Sequence, residues 1–139
     1  MRKPYEDDRG AASVELALLT PMMIGFALLV ILTGRVIGAG AIADEAAHAA
    51  ARAASLERSV PAAEAGARGI AERSLAASGL TCSDHTLALD HGGLQPGGAV
   101  TAVLDCRVGL DDLSGLGVPG NVTVQGSSTV AVDTFRGQP

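Results

Sequence analysis

Apolar residues are distributed very unevenly along the chain. Leu16 to Gly34 carries no charge at all, and its length is close to the ~20 apolar residues that a helix needs to cross a bilayer core. A buried core helix is the alternative, but the remaining chain is too short and too polar to wrap such a rod. The pattern predicts a single transmembrane helix starting near Ala12 and continuing past the membrane. Pro21 and Gly25 fall inside it, and both residue types are commoner in membrane helices than in soluble ones.

Beyond the apolar run the pattern turns to alanine. Ala39 to Leu56 has the best helix former at most positions, with Asp44, His48 and Arg52 recurring on one stripe. That stripe is expected to be solvated, and the opposite smooth face suits close helix packing. Ser59-Val60-Pro61 breaks the helix, because the residue before proline avoids helical angles. A second helix is expected from about Pro61 to Ala77, with Pro61 in the first turn and Gly79 as the C-cap. Ala63, Ala67, Ile70, Ala71 and Leu75 recur on it at helical spacing.

From Cys82 onward the pattern becomes that of strands. Thr86 to Leu89 alternates, residues 91–98 form a turn region, and Ala99 to Val108 is rich in β formers. Asp111 to Gly120 is expected to be a loop and Asn121 to Thr134 a long strand, giving a three-stranded antiparallel meander. The fold class is therefore α+β. Its expected parts are a leader (1–10), a transmembrane and extended helix (11–58), a second helix (59–79) and a small β domain (80–139).

Composition sharpens this picture. The overall mean hydropathy is high for a chain that is 18% charged, as a membrane segment requires. Arg2, Lys3 and Arg9 precede the apolar run, so the positive-inside rule keeps the N-terminus cytoplasmic and places the C-terminal part outside. A cleaved secretory signal is a lesser alternative, with Gly38-Ala39-Gly40-Ala41 imitating its cleavage site. A net charge of −5 and 2% aromatic residues argue against nucleic acid as a partner.

Cys82 and Cys106 are the only cysteines, and in an oxidising compartment two cysteines of a small domain usually pair. A hairpin centred on Leu94 sets Cys82 opposite Cys106, Leu87 opposite Thr101 and Leu89 opposite Ala99. That mixture of facing residues is imperfect, and a bulge or a one-residue slip would correct it.

No catalytic set or cofactor site emerges. His48, His85 and His91 lack metal-ligand spacing, and Ser13 and the Ser127-Ser128 pair have no base nearby in sequence. Asp111-Asp112 reads as turn chemistry rather than a cation site. The glycines at 34 and 38 have the spacing of a helix-packing motif, at a position where plain flexibility is equally expected.

The most informative residues straddle the start of the apolar helix. Gly10, then four residues, then Glu15, set after a basic leader, resembles the processing site of type IV prepilins. In that family a membrane-embedded peptidase cuts after the glycine. The resemblance implies a scissile bond at Gly10–Ala11 and makes Glu15 the fifth residue of the mature chain. A carboxylate at that depth costs up to a few kcal/mol unless partnered, and the new amine of Ala11 is a cation close by.

Gly10, Val14-Glu15, Pro21 and Ala50-Ala51-Arg52 together resemble the TadE family, pseudopilins or minor pilins of the tight-adherence (Flp, type IVc) pilus system. The ending from Ser127 to Arg136 resembles that of actinobacterial members. The resemblance implies a non-enzymatic role in pilus assembly or adhesion. Its partners would be prepilin peptidase, other pilin or pseudopilin subunits, the Tad assembly platform and the membrane. The rival reading is an uncleaved, membrane-anchored binding module.

Overall fold

The computed structural model describes residues 8–135, so the leader residues Met1 to Asp7, including Arg2 and Lys3, and residues 136–139, including Arg136, lie outside the described residues. The elements in chain order are helix α1 (Asp8–Leu56), helix α2 (Val60–Ser78), strand β1 (Cys82–Asp90), a one-turn 3-10 segment (Gly92–Leu94), strand β2 (Ala99–Gly109), the short helix α3 (Leu110–Ser114) and strand β3 (Asn121–Ala131). This is the α+β arrangement expected from the sequence: a long apolar helix, a short second helix and a three-stranded antiparallel sheet in the order β1-β2-β3. The first helix starts at Asp8 rather than near Ala12, a helical turn, α3, opens the segment expected to be plain loop, and the last strand ends at Ala131 rather than Thr134.

The chain divides into two compact units, Met1–Gly34 and Arg35–Pro139. In the first, the large side chains of α1 from Val14 to Ile31 are exposed, Met22, Leu18 and Phe26 among them. A helix this long and apolar fits a single-pass membrane anchor. Thr20 and Thr33 donate their hydroxyls to the carbonyls of Leu16 and Leu29 at 2.7 and 2.9 Å, so neither hydroxyl goes unbonded on the apolar rod. Pro21 removes the N–H that would bond the Ala17 carbonyl.

The second unit is two-layered. The end of α1 and all of α2 pack on one face of the sheet, and the helical side of this core is almost entirely alanine: Ala43, Ala46, Ala47, Ala50, Ala51 and Ala54 from α1, and Ala63, Ala67 and Ala71 from α2. Alanine lets the layers approach closely but brings little area each. The sheet supplies the bulk through Val100, Leu104, Cys106 and Val108, alternate residues of β2 that are buried in the period-2 pattern of a one-sided sheet. Helix α2 begins with Pro61 near its N-terminus and stops at Gly79, whose φ of 72° is left-handed and whose N–H donates to the Ala76 carbonyl at 3.3 Å.

The register of the first hairpin corrects the expectation. Cys82 lies opposite Val108, not Cys106, while Leu87 lies opposite Leu104 rather than Thr101, and Leu89 opposite Ala102 rather than Ala99. The hairpin is therefore centred between Gln95 and Pro96, not on Leu94. Burial is the cause: this register faces Leu87 and Leu89 with the buried residues of β2, whereas the centred alternative pairs Leu87 with a residue of the polar face. A bulge between Cys82 and Asp84 adds Ser83 to β1, and its hydroxyl donates to the Arg107 carbonyl at 3.1 Å. Regular alternation would turn Cys82 to the outer face. The bulge returns it to the inner one, diagonal to Cys106, and a disulfide joins the two at a Cα separation of 5.5 Å.

Candidate functional site

Three places bear on function: the start of α1, the contact of α1 with β3, and the disulfide.

Gly10 and Ala11 lie in the opening turns of α1, and Glu15 follows about one turn later with its side chain exposed. The first four N–H groups of a helix have no intrahelical partner, so these turns are the least firmly held part of the rod. The expected role of all three rests on their sequence pattern.

In the second unit α1 runs tightly against β3. A Cβ on Gly126 would collide with the backbone of Ala43 and Asp44, so the glycine is what permits the approach. On either side of this contact Asp44 Oδ1 accepts the N–H of Ser127 at 2.9 Å, and His48 Nδ1 lies 3.0 Å from Ser128 Oγ. Asp44 thus takes up a donor of an edge strand, one way proteins blunt a sheet edge. Asp44, His48 and Arg52 form the solvent-exposed stripe expected from the sequence, and the first two are in addition bonded to β3, whereas Arg52 has no such bond among the described residues.

Ser128 does therefore have a histidine beside it, which the sequence alone did not indicate, because the two are 80 positions apart. Asp44 accepts a backbone N–H rather than bonding the His48 ring, and among the described residues no third group is bonded to the imidazole. His85 Nε2 lies 3.8 Å from Glu72 Oε1 in an exposed pair joining α2 to β1, a contact of little energetic weight. His91 Nδ1 accepts the Gly93 N–H within its own turn. Among the described residues no His, Cys, Asp and Glu cluster could hold a metal ion.

Gly126, the residue on which the helix–sheet contact depends, went unremarked in the sequence. Its signal was present: an isolated glycine inside a strand pattern marks a bulge or a close backbone approach.

These features define a class: an apolar anchor helix continued into a small, disulfide-linked α+β head with two helices on one sheet face. Residues 10–52 match the family model described as TadE-like protein. The similarity is confined to this N-terminal segment, in keeping with the resemblance carried by Gly10, Glu15, Pro21 and Arg52. No curated protein and no solved structure matches the chain.

Proposed function

We propose that this protein is a non-enzymatic pilin-like component of a tight-adherence pilus system, processed by a prepilin peptidase at Gly10–Ala11 and active in pilus assembly or adhesion. One observation carries the reading: the family match begins at Gly10, the residue before the proposed cut, and runs through the apolar helix to Arg52. The N-terminus is cytoplasmic and the head extracytoplasmic, by the basic residues that precede the span. The chain divides functionally into a leader (1–10), an anchor and extended helix (11–58), a second helix (59–79) and a β domain (80–139).

The physics of the site supports the reading. A peptidase needs its substrate extended, and the opening turn of α1 can unwind there with few intrahelical bonds to lose. Cutting at Gly10–Ala11 produces an ammonium on Ala11 beside a helix that carries Glu15 on otherwise apolar surface. In low dielectric an unpaired carboxylate is costly, so a partner subunit's new amine is a favourable counter-ion for Glu15. The partners are the peptidase, neighbouring pilin or pseudopilin subunits and the assembly platform.

Intact mass of the membrane-extracted protein, co-expressed with a prepilin peptidase, tests the proposal. The expected chain begins at Ala11. Retention of residues 1–10 beside a peptidase active on a control prepilin would sink it.

A further inference from the structure

The second unit carries a groove of about 490 Å³ where the first turns of α1 in that unit meet α3 and the α2–β1 junction. Arg35, Gly38 and Ile42 line it from α1, Leu80 from the junction, and Asp112 and Leu113 from α3. We propose that this groove binds the phosphoethanolamine headgroup of a membrane phospholipid, with Arg35 taking the phosphate and Asp112 the ammonium.

Depth is the first argument. Arg35 directly follows the uncharged run that ends at Gly34. Arg35, Gly38 and Ile42 sit at helical spacing on one stripe, and the rise from the first to the last is about 10 Å. The headgroup layer on each side of a bilayer is roughly 5–7 Å thick. Arg35, the first residue after the uncharged run, therefore falls at headgroup depth, and this step rests on reading that helix as a membrane anchor.

Charge is the second. One cation and one anion reach the groove from different elements, and among the described residues no ion pair joins them. A guanidinium is matched to phosphate oxygens, and a carboxylate to a primary ammonium with three N–H donors. A purely anionic headgroup would leave Asp112 facing like charge, and a choline headgroup has no N–H to offer it. Ile42, Leu80 and Leu113 give the apolar walls that the glycerol and first acyl carbons require.

The loop that follows α3 carries apolar side chains of its own. Leu110 N–H donates to the Gly120 carbonyl at 2.9 Å and closes the loop at its base. Gly115 and Gly117, both at left-handed φ, turn the chain around Leu116, which is 63% exposed, and Val118 follows at 38%. Exposed apolar side chains on a short loop beside a headgroup site add interfacial contact.

The test is a lipid competition on the full chain in detergent, with phosphatidylethanolamine, phosphatidylglycerol and phosphatidylcholine at equal concentration and bound lipid counted by native mass spectrometry. The wild type is expected to retain phosphatidylethanolamine selectively. Arg35→Gln should lower that retention about tenfold, as the loss of one charge-assisted hydrogen bond implies. Asp112→Asn should abolish the preference over phosphatidylglycerol. Gly38→Met fills the groove without changing charge, and Gly38 has open space where a Cβ would stand, so the fold tolerates it. It should reduce binding as much as Arg35→Gln does. Equal retention of the three lipids, or wild-type behaviour in Arg35→Gln or Gly38→Met, overturns the proposal. So does an Asp112→Asn chain that still prefers phosphatidylethanolamine. Resistance of the wild type to carbonate extraction, measured in parallel, separates these failures from failure of the membrane reading itself.

Discussion

Gly126 of β3 lies directly against the backbone of Ala43 in α1, with no room for a side chain between them. The contact sets how closely the helix layer approaches the sheet. It explains why the helical half of the core is built from alanine: at this separation larger residues on α1 would not fit. Asp44 and His48 flank the contact and bond Ser127 and Ser128, so helix and strand are held by packing and by two polar ties.

Gly126→Ala is expected to destabilise the protein by about 1–3 kcal/mol, the usual cost of forcing atoms into a packed core. Gly40→Ala is the control. It lies on α1 with open space around its Cβ position, and alanine there should stabilise by about 0.5–1 kcal/mol. Thermal melts of the full chain in detergent measure both. Equal stability of Gly126→Ala and wild type would refute the close approach.

Asp44→Ala leaves the Ser127 N–H without its acceptor and is expected to cost about 0.5–1.5 kcal/mol. Asp44→Asn keeps a carbonyl oxygen in place and should cost less than half as much. Amide hydrogen exchange at Ser127 reads the bond directly, with faster exchange expected in the alanine variant and near wild-type exchange in the asparagine one.

The Cys82–Cys106 disulfide ties the first turn of β1 to the centre of the sheet. Replacing both cysteines by alanine should lower stability by about 3 kcal/mol, the loop-closure value for a bridge of this span in the chain-entropy model. Non-reducing digestion and mass spectrometry should show the two peptides linked. Free thiols in both, or a covalent dimer, would contradict the pairing.

Glu15→Leu should insert in the membrane and be cleaved, yet fail to support assembly, because it removes only the carboxylate proposed to receive a neighbour's amine. Gly10→Leu should insert and remain uncleaved. Counting surface pili in the two variants, alongside the mass of each chain, distinguishes the roles. Normal piliation with Glu15→Leu would show that this carboxylate has no pairing function.

What can be read from the sequence alone is whatever a few neighbouring residues decide. The apolar run to Gly34 needs only its length and composition to be read as long enough to span a bilayer. Helix α2 is delimited by Pro61 and by Gly79, whose left-handed angles favour glycine. The strands follow from alternation, and the Gly10 to Glu15 pattern on which the proposed processing rests is local too. Tertiary structure alone decided the relations between distant segments. The hairpin could be centred on Leu94 or between Gln95 and Pro96 without violating any local preference, and only burial of Leu87 against Leu104 selects the second. The Ser83 bulge, which brings Cys82 to the inner face, answers to that register rather than to its own neighbours. His48 meets Ser128 across 80 positions and Asp44 meets Ser127 across 83, and such pairings arise only when α1 settles onto β3. The physical reason is common to all of these. Helix and strand preferences act over a few residues, whereas register and layer contacts are chosen by which apolar faces can be buried together, a property of the whole head.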